Sequence, residues 1–319
     1  MLIPGRNCWR VEHSDRFAFL VDAADYFAAV RAAIARARRT VFILGWDIDT
    51  SIRLVPQGAN DGYPEELGEF LKEVVRRNRR LHMYVLSSDF AMVFGGDREW
   101  FPLYKLGWRE GPRPRLHFKL DARHPPSGSH HQKVVVVDDA VAFVGGLDLT
   151  HGRWDTREHQ REQPYRRDKQ GRISRPNHDV QAIVDGNAAR ALGELCRERW
   201  QRLGKRTIPL VDAADDPWPR NVIPEATDLQ VAIARSDPAG RPGPRWRRYA
   251  NSTWMPSPRR AARCTSRTST SARASSAHPS RSARTSPIRP TSWSSRASPR
   301  KAGWRRARWA RCARACTSG

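Results

Sequence analysis

His131 and Lys133 lie two residues apart, immediately before the four valines Val134, Val135, Val136 and Val137. A β-branched run of this kind reads as a strand buried on both faces. Side chains alternate along a strand, so the imidazole and the ammonium fall on the same side at its end. Imidazole can attack phosphorus when its other nitrogen is held by a carboxylate. An ammonium beside it can hold phosphate oxygens as a point charge. The pair is an arrangement for handling phosphate, although a lone His-x-Lys before a strand is more often a solvated strand end.

The elements that must position this pair follow from the pattern around it. Asp138 and Asp139 supply turn chemistry, Val141–Val144 reads as the returning strand, and Gly145 and Gly146 permit close backbone approach to a substrate. Upstream, Ala23–Arg39 reads as an amphipathic helix with Tyr26, Phe27, Val30, Ile34 and Ala37 on one face and Arg31, Arg36 and Arg38 mostly opposite. Thr40–Trp46 is a buried strand ending in Asp47-Ile48-Asp49, aspartates that either cap a turn or belong to a site. A helix over Glu65–Asn78 and strands over Leu81–Leu86 and Arg115–Asp121 come next, with an aromatic cluster (Trp100, Phe101, Tyr104, Trp108) between the two strands. Beyond the motif, His151–Asn177 reads as a long, functional or mobile loop, Asp179–Val184 as a strand, Asn187–Leu203 as a helix and Leu229–Ala234 as a strand. Alternation of strands and helices predicts an α/β fold over residues 1–236. Residues 237–319 show no sustained period and read as a disordered Arg/Ser/Pro-rich tail.

Charge separates the same two regions. The formal net charge is +24, which at first sight suits a binder of nucleic acid or anionic membrane. From Arg241 onward, however, there are 20 basic and no acidic residues, leaving 37 of the 57 basic residues to face all 33 acidic ones in the first 240. The globular part is nearly balanced. Five cysteines without C-x-x-C spacing point to neither a disulfide framework nor a zinc site. With no signal-peptide core or membrane-length apolar run, a cytoplasmic or peripheral membrane protein is expected.

Taken together, H-Q-K, four apolar residues, Asp138 and the later Gly145-Gly146-Leu147-Asp148 resemble the H-x-K-x4-D…G-G-x-N/D signature of the phospholipase D superfamily. The G-R-W-D at Gly152–Asp155 and the H-D-V-Q at His178–Gln181 resemble its phospholipase and cardiolipin-synthase-like members, and G-W-D-I-D at Gly45–Asp49 resembles its first strand. The resemblance implies a mixed sheet flanked by helices. It also implies attack by His131 to give a phosphohistidine, with Lys133 on the phosphate oxygens and Asp179 as the carboxylate that orients His131. Asp138 belongs to the signature, although alternation puts it off the His131 face and leaves its role structural or open. Gly145, Gly146 and Asp148 would line the substrate position. No cofactor or metal is implied. Asn177 stands where the related members carry Trp, a departure that bears on local packing.

The substrate expected on this basis is a glycerophospholipid, met at a membrane surface and either hydrolysed or used for phosphatidyl transfer. Such sites are built from two half-sites, in one chain or across a homodimer, and no second His-x-Lys follows Lys133. The resemblance covers residues 5 to about 240, so one half-site and little turnover are expected of this chain. A single-motif homodimeric nuclease of the same superfamily, and a nucleic-acid-binding module using the basic tail, are the alternatives.

The tail itself suggests why the second half is missing. Five tryptophans (Trp246, Trp254, Trp293, Trp304, Trp309) are unusual in a disordered segment. Rebuilding each codon from the last base of one residue and the first two of the next, with permitted third bases, turns Cys264–Ala272 into L-H-V-E-N-Q-Y-F-S. That string resembles the family's E-N-Q-Y-F strand. Ala302–Ser318 likewise becomes W-L-E-E-G-T-M-G-A-L-R-A-R-L-H-E-R, which restores acidic residues. A one-base slip between about Asp237 and Arg245 is therefore expected, with the intact frame continuing past Gly319. Resequencing the coding DNA checks this: an overlapping frame of this content is the expected outcome, and its absence returns the tail to ordinary disorder.

Overall fold

The computed structural model describes residues 2–89, 114–124, 128–204, 207–212 and 215–237, together with the backbone of Thr270–Ser275. The aromatic cluster at Trp100–Trp108, residues 125–127 and the rest of the tail lie outside the described residues.

In chain order the elements are β1 (Arg10–Val21), α1 (Asp22–Ala35), β2 (Thr40–Gly45), α2 (Leu67–Arg77), β3 (His82–Ser88), β4 (Leu116–Asp121), β5 (Lys133–Val137), β6 (Val141–Gly145), β7 (Val180–Asp185), α3 (Gly186–Arg202), β8 (Ala226–Arg235) and β9 (Thr270–Ser275). Among the described residues the strands form one mixed sheet in the order β4-β3-β2-β5-β6-β7-β1-β8-β9. β2, β3 and β4 are mutually parallel, and every other neighbouring pair is antiparallel. The α/β reading holds, and each element read from the sequence is present within a few residues of its expected bounds wherever the chain is described.

The valine run explains why β5 sits near the middle. Val134 to Val137 are at most 1% exposed. Val135 and Val137 join Val41, Ile43 and Phe143 under α1 and α2. Val134 and Val136 join Phe42, Leu44 and Val144 under α3. Burial of a valine contributes about 1.5–3 kcal/mol, so a one-residue slip that reversed these faces is strongly disfavoured. The β5–β6 hairpin turns through Asp138 and Asp139, both at positive φ (51° and 54°). That conformation costs an L-residue about 1–2 kcal/mol, and salt bridges and hydrogen bonds hold it. Asp138 accepts the backbone N–H groups of Arg38, Arg39 and Thr40 at 2.7–2.8 Å. Asp139 takes a two-pronged contact from the buried Arg197 at 2.6 and 2.7 Å.

Three findings depart from the sequence reading. β1 is an interior strand that the sequence pattern did not reveal. The polar residues of its N-terminal half, R-V-E-H-S-D-R, find their partners only in the fold: Arg10 with Glu194, His13 with Asp228, and Arg16 with Asp185 and Asp216. Arg31, placed on the solvent face of its helix, is instead 1% exposed. It is held by Asp61 through two contacts of 2.8 Å and lies over the Phe70 ring. Within the tail, Thr270–Ser275 pairs antiparallel with β8.

The long loop after β6 is organised by a cation. Arg166, 1% exposed, makes an ion pair of 2.9 Å with Asp155, whose side chain is fully buried, and donates to the carbonyls of Gln160, Arg161 and Ser174. Breaking a buried pair from one side leaves an uncompensated charge and costs about 3–5 kcal/mol. Arg166→Leu is expected to lower stability by about that amount in urea denaturation, with an unchanged m-value.

Candidate active site

Alternation through His130–Lys133 sorts four polar side chains to two sides of the sheet. His130 turns to the α3 side, 2% exposed, with its Nε2 3.0 Å from the Arg123 carbonyl and 3.4 Å from Asp121. Gln132 follows it, bound by Arg199 at 3.0 Å. Burial, and next the charge of Arg199, hold His130 below the ordinary imidazole pKa. His131 and Lys133 face the other way, toward the end of β6 and the start of β7.

Lys133 is 3% exposed, yet its ammonium is held at the site by Asp148 at 2.7 Å. Burial lowers its pKa, and the Asp148 carboxylate acts against that shift. The other Asp148 oxygen accepts the Trp46 N–H at 2.8 Å, fastening the end of β2 to the site. Trp46 packs against His131 with ring centroids 5.9 Å apart. His131 itself is exposed. Its pKa lies below the usual imidazole value, first through partial loss of water and then through the Lys133 charge; Arg153 acts in the same direction, and Asp148 and Asp179 oppose it.

Asp179 is half-buried at the start of β7. Its Oδ1 accepts the Val180 N–H at 2.8 Å, and its carboxylate occupies the space over Gly146: a Cβ there would meet both carboxylate oxygens at 2.1 and 2.2 Å. At Gly145 a Cβ would meet Gln181 Oε1 at 2.2 Å. The two glycines therefore admit the side chains of Gln181 and Asp179 at the start of β7. Asp179 acts on His131 through its field and not, in this structure, through a hydrogen bond. Asp148, expected to touch substrate, is 2% exposed and serves the lysine.

The structure thus brings together His131, Lys133, Asp148 and Asp179 and sets Gly145 and Gly146 beside them. It does not bring Asp138 there. That residue sits at the opposite end of β5, roughly 20 Å along the strand from His131 by the usual rise per residue, with both oxygens committed to the backbone before β2. Arg153 is the member that lacked an assigned role; its signal was the G-R-W-D string in which it stands. Asp49 closes a local turn by accepting the Ser51 N–H at 2.9 Å, whereas Asp47 accepts the Thr150 hydroxyl at 2.8 Å and ties the end of β2 to the chain after β6.

An exposed imidazole whose pKa is lowered by partial loss of water and by two neighbouring cations, with carboxylates nearby, has the makings of a nucleophile toward an anionic phosphorus centre. The phospholipase D family profile matches residues 33–232, and the chain belongs to that family. Phospholipase D2 of Bos taurus is 32% identical over 168 residues, covering 48% of this chain and 16% of the relative. Phospholipase D gamma 2 of Arabidopsis thaliana is 30% identical over 248 residues, covering 64% of this chain and 28% of its own. The chain thus spans less than a third of the length of these relatives. Among solved structures, the phospholipase D family member Nuc from Salmonella typhimurium aligns with a TM-score of 0.37 and 12% identity, over 58% of this chain and 95% of that one. Among the described residues, no helix is long and apolar enough to cross a membrane.

The charges around His131 set its titration. Arg153→Gln removes a cation that disfavours the imidazolium, so the His131 pKa is expected to rise. Asp179→Asn removes an anion, so it is expected to fall. Ring-proton NMR titrations check both directions. Because only the neutral imidazole attacks, any acid limb of activity should move up in pH in the first variant and down in the second.

Proposed function

We propose that this chain carries one half-site of a phospholipase D-type phosphodiesterase or phosphatidyltransferase acting on glycerophospholipids. The observation that carries the reading is the grouping of an exposed His131 with Lys133, Arg153 and Asp179 at one end of β5. In this reading His131 attacks the phosphorus of the diester and a phosphohistidine forms as the alcohol leaves. Lys133 and Arg153 offset charge on the non-bridging oxygens, and water or a second alcohol then releases the phosphatidyl group. Asp179 favours the developing imidazolium. The leaving alkoxide needs an acid, and that group belongs to a second half-site.

The same proposal takes residues 1–236 as the catalytic half-domain and 237–319 as sequence read out of frame. It also takes the working protein to meet its substrate at the membrane surface. A single-motif nuclease of the same superfamily would complete its site by pairing two chains, so light scattering separates the readings: a monomer excludes it.

Vesicles of phosphatidylcholine and of phosphatidylglycerol test the leading reading. This chain is expected to turn over little or nothing. A form carrying both half-sites is expected to release headgroup or transfer product, and His131→Ala in that form to abolish it. Absence of both products, or turnover indifferent to His131→Ala, contradicts the proposal.

A further inference from the structure

On the other side of the β7 start, three side chains converge in a way the phosphate chemistry does not use. Asp22 is fully buried and sits between two histidines of the long loop and its end. His178 Nδ1 lies 2.8 Å from Asp22 Oδ1, and His159 Nε2 lies 3.2 Å from Asp22 Oδ2. One ligand atom from each residue can be chosen so that all lie within 4.8 Å of one another.

The hydrogen bonding leaves this cluster short of positive charge. Asp155 receives the Arg166 guanidinium at 2.9 Å and the backbone N–H groups of Thr156 at 2.9 Å and Asn177 at 3.0 Å. Asp155 is therefore an acceptor, and the 3.0 Å contact with His159 Nδ1 requires that nitrogen to donate. In the neutral ring, His159 Nε2 then presents a lone pair to a carboxylate oxygen. Asp22 Oδ2 is close enough to count as an ion-pair contact, yet it has no hydrogen-bond partner. Two acceptors face each other across a buried gap, and a buried unsatisfied carboxylate oxygen is costly.

We infer that Asp22, His159 and His178 form a binding site for a divalent transition metal ion of the zinc class, through Asp22 Oδ2, His159 Nε2 and His178 Nδ1. Two imidazoles and one carboxylate are a common zinc donor set. The ion replaces the His178 Nδ1 proton and fills the gap between the facing lone pairs. Asp155 is the outer carboxylate that fixes the tautomer of a metal-bound histidine. A fourth position opens to solvent on the side of His178, whose side chain is 65% exposed. The site differs from the phosphate-handling end, because Asp179 turns to Gly146 while its neighbour His178 turns to Asp22. The two share a tether: Asp22 Oδ1 accepts the Asp179 N–H at 3.1 Å, and the Asp22 N–H donates to the Asp179 carbonyl at 2.8 Å. An ion on Asp22 thus braces the residue that flanks His131.

The experiment uses the full chain, stripped with chelator and titrated with zinc chloride by calorimetry, with cobalt(II) absorption as a second readout. Expected are one saturable zinc per chain, a higher Tm with zinc, and tetrahedral-type cobalt bands. His178→Asn, at an exposed position, and His159→Gln are each expected to weaken zinc binding at least tenfold, on the scale of lost metal-site interactions (about 10–100-fold). His13→Asn, which alters a half-buried imidazole between Asp15 and Asp228, is expected to leave binding intact. No saturable binding at micromolar zinc, or binding indifferent to both His159 and His178, overturns the inference and assigns the missing charge to a proton on His159.

Discussion

A buried ammonium at the end of an all-valine strand has to be neutralised, and much of the site follows from how Asp148 does it. Lys133 cannot reach bulk water from a position that is 3% exposed, and an unpaired charge there would be unsustainable. Asp148 comes from the chain just past β6, so the β5–β6 register must be correct before the pair can form. Its second oxygen binds the Trp46 N–H, so the end of β2 is placed by the same carboxylate. Trp46 in turn flanks His131. One carboxylate therefore couples strand register, lysine position and the surroundings of the nucleophile.

Side-chain size at the neighbouring strand completes the arrangement. Gly146 leaves a notch one carbon deep, and the Asp179 carboxylate fills it. The anion sits where it can bias the imidazole without taking up the lysine. Lys133 keeps its own partner, and Arg153 stands near enough to act against protonation of His131.

How much of this could be read from the chain depends on whether a residue's partner is close in sequence. The valine run, the alternation that divides His130 from His131, and the apolar stripe of α2 are local patterns, and each survives in the fold. Arg31, Arg166 and Arg197 escaped because a guanidinium reads as surface until its carboxylate is known, and Asp61, Asp155 and Asp139 are brought to them by the fold. β1 escaped for the same reason, its polar side chains being satisfied by four distant acidic residues. Asp138 was legible as a turn residue but not as the acceptor of three N–H groups. The roles of the two glycines depend on β7, which no local pattern could supply. Asp22, at positive φ (66°) on the first residue of a helix, carries no sequence signal for its two histidines.

The interior place of β1 in the sheet has a consequence for how the molecule is made. Phe17 pairs with Val184 and Arg10 with Ile233, so β1 is closed on both sides by segments synthesised much later. At about 5–20 residues per second, that gap lasts roughly ten to forty seconds. During this time both hydrogen-bonding edges of β1 are open, one of them beside Phe17 and Phe19. The charges spaced along R-V-E-H-S-D-R are of the kind that discourages an open strand edge from pairing with another chain, and the finished fold uses them in ion pairs with later segments.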